Sequence, residues 1–157
     1  MQRGFTLKKS IILLAAALAA TCLLIVGCGT PHIALFDVTG SGKTAVNPNA
    51  TINFGTAYFL ITPHSQTRNF RVENTGTGDL QLTGTGNKVV ISGTDPSFFT
   101  IPTQPSQKIP AGGSADFDIV FTATAITGQK NTTIGISSDD SDQSSLSFNA
   151  TGNDLYS

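Results

Sequence analysis

Residues 114–122 read SADFDIVFT. Ala115, Phe117, Ile119 and Phe121 alternate with Asp116 and Asp118. A period of two puts the apolar set on one face of a strand and the carboxylates on the other. The same alternation recurs in TRNFRVEN (67–74), where Phe70 and Val72 share a face. It returns in NTTIGIS (131–137) with Ile134 and Ile136, and in SSLSFNA (144–150) with Leu146, Phe148 and Ala150. Shorter strands are expected at IALFDV (33–38), TINFG (51–55), LQLT (80–83), KVVIS (88–92) and FFTI (98–101). Turn chemistry separates them: NTGTGD (74–79), TGTGN (83–87), GTDPS (93–97), PAGGS (110–114) and SDDSD (138–142). Gly supplies positive φ there, and Asp and Asn bond their own backbone. No stretch after Cys28 keeps a helical apolar period through three turns. The pattern predicts an all-β, immunoglobulin-like β-sandwich of about seven to nine antiparallel strands.

The N-terminus has a different character. Arg3, Lys8 and Lys9 precede an uncharged run from Ile11 to Val26. That run is short for a bilayer span and suits the apolar region of a secretory signal. It ends in Ile25-Val26-Gly27-Cys28, which resembles the bacterial lipobox. In lipoproteins the Cys thiol is diacylated, the signal peptidase cuts before it, and the new amine is usually acylated too. Cleavage is thus expected between Gly27 and Cys28, with Cys28 lipidated. The alternative is an ordinary signal peptide with a chance cysteine. Two or three acyl chains anchor firmly, at about 0.8 kcal/mol per buried methylene. Gly29 rather than Asp follows Cys28. By the usual sorting rule of Gram-negative envelopes, this is compatible with the outer membrane rather than the inner; a Gram-positive membrane surface is the other setting.

The expected organisation is a signal peptide over 1–27, a lipidated N-terminus and short tether over 28–30, one domain over 31–153 and a tail over 154–157. Removing 1–27 takes three of the nine basic residues and none of the ten acidic ones, leaving 130 residues with a net charge of −4. This balance offers no basic patch for nucleic acid. Cys22 leaves with the signal and Cys28 is committed to lipid, so no disulfide supports the fold.

A longer series of blocks carries a family resemblance: NFGT, RNFRVENTGTGDLQLTG, VVISGTDPSFFTI, IPAGGSADFDIVFT and a closing SDDSD hairpin. It resembles the bacterial choice-of-anchor D domain, related to the ASPM-SPD-2-Hydin type of immunoglobulin-like domain. The resemblance covers about residues 31–153 and implies the sandwich fold, with NTG and AGG as hairpin turns. It implies little about activity. Ala123 stands where the family often has Pro, and AYFLITPHSQ (57–66) is longer and more apolar than the usual link.

Candidate sites are few. The mature chain has two histidines, His32 and His64, without metal-ligand spacing and with no unmodified cysteine, so neither a catalytic centre nor a zinc site is expected. Asp139, Asp140 and Asp142 crowd one turn. Their hard oxygens suit calcium, although the run lacks the ligand ladder of an EF-hand, and a solvated hairpin is the simpler reading. Tyr58, Phe59, Leu60 and Ile61 are consecutive large apolar residues. They read as a strand buried on both faces, or lying under a loop, or else as a patch for a protein partner. Asn49, Asn131 and Asn149 head N-x-[ST] triplets that are chance matches in a bacterial lipoprotein.

GSGKT (40–44) suggests a phosphate-binding loop, but the pattern requires Gly where Asp37 stands. Asn47, Pro48 and Asn49 oppose the helix that must follow. The string is expected to be the first turn of the sandwich, with no nucleotide bound. That leaves residues 29–32, at most about 14 Å of chain, between lipid and domain. The resulting expectation is a lipid-anchored envelope protein with a non-catalytic sandwich for protein binding or adhesion. A structural scaffold is the alternative, and a hydrolytic enzyme a more distant one. No cofactor is expected beyond the covalent diacylglycerol and N-acyl lipid at Cys28.

Overall fold

The alternating segments become two packed sheets. A computed structural model describes residues 29–156; the signal segment, its cleavage point at Gly27 and Cys28, and Ser157 lie outside the described residues. The first sheet contains β1 (Ile33–Asp37), β2 (Thr44–Ala45), β4 (Ser65–Asn74), β7 (Phe99–Thr100) and β9 (Ser114–Thr122), in the order β2-β1-β4-β9-β7. The second contains β3 (Thr51–Tyr58), β6 (Val89–Ser92), β10 (Gly128–Ser137) and β11 (Ser145–Leu155), in the order β3-β11-β10-β6. A short pair, β5 (Leu80–Gln81) and β8 (Lys108–Ile109), stands apart. A 3₁₀ turn over Pro96–Phe98 starts at a proline, whose fixed φ suits a first helical position.

The immunoglobulin-like sandwich is present, with two differences from the expected pattern. Among the described residues there are, besides seven strands of four residues or more, four of only two residues, β2, β5, β7 and β8. Pairing is also not wholly antiparallel: β3 runs parallel to β11, from Thr51 opposite Asn149 to Tyr58 opposite Leu155. A hairpin cannot make that pairing; β3 reaches it by crossing from the first sheet to the second. Its partner extends beyond the expected domain end at 153. Asp154 and Leu155 continue β11 opposite Ala57 and Tyr58, and Asp154 is fully buried. The tail is therefore strand for two more residues.

GSGKT falls in the β1–β2 connection, with Phe36 opposite Ala45 and Asp37 opposite Thr44. Asp37 is structural. Its carboxylate accepts from Thr39 N–H at 2.9 Å and from Arg68 at 2.5 Å.

Inward positions build one core. Phe70, Phe117, Phe121 and Phe99 come from the first sheet, and Phe54 and Phe148 from the second. Their rings form a connected series. Phe70 lies 5.5 Å from Phe117, 5.2 Å from Phe148 and 6.5 Å from Phe54, centroid to centroid. Phe54 meets Phe99 edge-on at 5.5 Å, and Phe99 lies 5.0 Å from Phe121. These separations are in the attractive range for aromatic pairs. Close packing also explains Gly152: a Cβ there would run into the Phe121 ring.

Phe70 touches three other rings across both sheets. Phe70→Ala should therefore lower the unfolding free energy by about 3–5 kcal/mol in urea titration. A loss below about 1 kcal/mol would mean that the ring series is not central to the core.

Candidate functional site

The two ends of the sandwich hold different groups. Residues 29–32 lie at one end, against the turn after β4. Thr30 C=O accepts from Thr77 N–H at 2.9 Å and Gly78 N–H at 3.2 Å, and His32 C=O accepts from Thr75 N–H at 2.9 Å. Asn74 organises this contact from a buried position. Its Oδ1 accepts from His32 N–H at 3.2 Å and Gly76 N–H at 3.0 Å. Its Nδ2 donates to Gly78 C=O at 2.7 Å and Ile109 C=O at 3.0 Å. The whole hydrogen-bonding capacity of the amide is used. Gly76 and Gly78 permit the approach, since a Cβ on either would overlap the backbone of residues 29–31. The sequence identified NTGTGD as a turn. Its second role, as the seat of the N-terminal segment, has no period or motif to reveal it.

The acidic hairpin sits at the same end, between β10 and β11. Asp140 is buried, with its side chain 1% exposed. Its Oδ2 accepts from Ile33 N–H at 2.8 Å and lies 3.3 Å from His32 Nδ1. Its Oδ1 accepts from Asp142 N–H at 2.9 Å and Gln143 N–H at 3.3 Å. Asp139 turns elsewhere and accepts from Gln81 N–H at 2.8 Å. The three carboxylates of the calcium candidate therefore do not form one cluster. Among the described residues, the groups whose ligand-type atoms lie within 4.8 Å of one another are His32, Asp140 and Asp142. His32 was not part of the acidic motif, because β1 brings it in from 107 or more residues away in sequence. Asp140 here holds backbone donors, which fastens the hairpin to the first strand.

The opposite end is apolar. Only Tyr58 of the Tyr58–Ile61 run belongs to a strand; Phe59, Leu60 and Ile61 leave it and are 38%, 57% and 53% exposed. A strand buried on both faces is thus not what forms. The loop is held at its base. Phe59 N–H donates to Leu155 C=O at 2.8 Å, and Tyr58 N–H to Pro63 C=O at 3.0 Å. His64 Nδ1 lies 3.0 Å from Tyr58 C=O. The Phe59 ring lies 5.8 Å from that of Tyr156, which is 52% exposed. Ile126, 65% exposed, belongs to the β9–β10 connection at this end, tied in by Ala123 N–H donating to His64 C=O at 2.9 Å. Tyr156 and Ile126 are isolated in sequence, so the short apolar run did not predict them as neighbours at one end.

The overall fold recurs among solved structures. No protein-family model matches the chain. No curated protein does either. Among solved structures, it is similar to a protein of unknown function from Porphyromonas gingivalis W83, with TM-score 0.53 and 11% identity, covering 81% of this chain and 66% of that one. It is also similar to the Vibrio cholerae VesB protease, with TM-score 0.50 and 11% identity over 67% of this chain and 30% of the protease. A third similarity is to an ASH/PapD-like domain of human CEP192, with TM-score 0.48 and 18% identity, over 69% of this chain and 83% of that domain. At these identities the likeness concerns the fold alone.

Asp140 gives the N-terminal end a measurable signature. Burial alone would raise its pKa, but the N–H donors of Ile33, Asp142 and Gln143, together with His32, outweigh it and hold the carboxyl below its ordinary value. A depressed folded-state pKa stabilises the fold above the unfolded value, and that contribution is lost as pH falls through the folded pKa. Asp140→Asn should cost about 1–3 kcal/mol at neutral pH, because its single carbonyl oxygen can serve either Ile33 N–H or the Asp142 and Gln143 N–H pair, and its NH2 then faces the donors on the other side. The gap between the two proteins should narrow below about pH 4 in denaturant titrations. A gap independent of pH would show that the charge of Asp140 does not matter.

Proposed function

We propose that the chain is a lipid-anchored bacterial envelope protein whose sandwich binds a protein partner and has no catalytic centre. The opposed ends carry this reading. Residues 29–32 are fastened beside Asn74 and Asp140, whereas Phe59, Leu60 and Ile61 stand exposed at the far end. Acyl chains on Cys28 would hold the first end at the bilayer. Because docking begins at Thr30, the domain would sit on the membrane with almost no free linker. The apolar apex would then point away from the lipid, separated by the length of β4, ten residues or about 33 Å. Clustered exposed aromatic and aliphatic side chains suit a protein interface. His32 and His64 lie at opposite ends and engage local groups, so they do not share a site.

We further infer a choice-of-anchor D type of domain. Its resembling blocks fall on the joints of this fold: NTG after β4, AGG before β9, and SDDSD between β10 and β11. In a Gram-negative envelope, Gly29 rather than Asp after Cys28 fits the outer membrane better than the inner.

Two variants test anchor and apex separately. Cys28→Ala should abolish fatty-acid labelling and release the protein from the membrane fraction. Leu60→Ser combined with Ile61→Ser should abolish cross-links formed in intact cells from a photoreactive residue at Ile126, with little change in melting temperature. Unchanged cross-links in the folded double variant would eliminate the apex as the interface.

A further inference from the structure

A second surface lies where both sheets end. β6 is the last strand of one sheet and β7 the last of the other. Between them is a cleft of about 460 Å³, lined by Val89, Ile91, Pro96, Phe99, Ile101 and Gln104 among others, with no charged side chain among the described lining residues. Gln104 behaves unusually there. Its Oε1 accepts from Val89 N–H at 2.7 Å, and its Nε2 donates to Val89 C=O at 3.1 Å. These are the two bonds that a residue of a neighbouring antiparallel strand would exchange with Val89. The side-chain amide thus occupies one rung of a ladder that would lie beyond β6.

The register gives the next rung. Val89 and Ile91 oppose Ile136 and Ile134 on β10. Since Val89 turns its N–H and C=O outward to Gln104, period-two alternation turns those of Ile91 outward too. Val90, between them, is 46% exposed on the outer face. We propose that the β6 edge takes an extended, uncharged peptide segment of a partner protein as an added strand, with Gln104 as the group that the peptide displaces. Donor and acceptor complementarity at Val89 and Ile91 selects an extended backbone. The uncharged, largely apolar cleft selects Val-, Ile- or Phe-type side chains at alternate positions. This inference rests on the protein-binding reading, but it uses a surface separate from the apex.

The test uses the full lipidated chain in detergent and a seven-residue peptide alternating Val with Thr. Two N-methylated versions accompany it, one blocking the amides on one edge of the peptide strand and one blocking the other. The peptide should bind and slow hydrogen exchange at Ile91, and one methylated version should lose binding while the other retains it. Gln104→Ala should bind roughly tenfold more tightly, because no internal bonds need to be surrendered. Leu60→Ser should leave binding unchanged, so failure here with apex cross-links intact counts against the β6 proposal alone. No binding to wild type and Gln104→Ala at millimolar peptide would overturn it. So would equal tolerance of both methylation patterns. Dimerisation of Gln104→Ala through β6 without peptide would assign the edge to a second copy and overturn the peptide partner.

Discussion

The contact of Phe70 with rings from both sheets is the interaction on which the rest of the fold depends. Among the described residues there is no cysteine, so no covalent link joins the layers. Cohesion must come from apolar burial, at about 25 cal/mol per Å², and from ring packing. The series Phe117–Phe70–Phe148, with Phe54, Phe99 and Phe121 joined through Phe70, crosses the interface rather than running along one sheet. Each sheet therefore fixes the position of the other. The polar features at both ends inherit their geometry from that contact.

The N-terminal end shows how this geometry is used. Asn74 ends β4, and β1 pairs with β4 from Ile33 opposite Asn74 onward. Once Phe70 and Val72 are seated, the Asn74 amide is aimed at residues 32, 76, 78 and 109. Asp140 reaches the same point from the second sheet and takes Ile33 N–H. Two buried polar side chains, one from each layer, thus secure the start of β1. A buried polar group is stable only with its partners present, so these bonds also select one arrangement of the N-terminal segment.

Strand identity was legible because burial imposes a period. Phe117, Ile119 and Phe121, and Leu146, Phe148 and Ala150, all occupy the inward face that their alternation implied. Turns were legible from Gly, Asn and Asp. What had no local signal was pairing over long separations. The parallel match of β3 with β11, the convergence of His32 on Asp140, and the gathering of Phe59 and Tyr156 at one end all join residues far apart in sequence. The four-residue apolar run at 58–61 was ambiguous for another reason. Hydrophobicity alone does not separate a buried strand from an exposed loop; here the strand ends at Tyr58 and Phe59, Leu60 and Ile61 stand exposed beyond it.

The second sheet has two exposed edges, and they are treated differently. β3 is eight residues long and would offer the more extensive template, yet local groups occupy much of its outer side. Gly55 N–H donates to Asn53 Oδ1 at 2.8 Å, Gln66 Nε2 donates to Thr56 C=O at 2.6 Å, and Tyr58 N–H donates to Pro63 C=O at 3.0 Å. The positive φ of Gly55 and the register shift opposite Thr151–Asn153 also bend the strand away from a flat ladder. These are ways of blunting an edge against unwanted pairing. β6 is only four residues long, and the group that meets its edge at Val89 has a different chemistry. Gln104 satisfies Val89 with a flexible side chain, without reshaping the strand or closing the cleft behind it. A bend or a bulge protects an edge permanently, whereas a side-chain amide can rotate away and leave a straight, apolar-backed strand. The asymmetry makes β6 the edge at which this sandwich can extend its sheet.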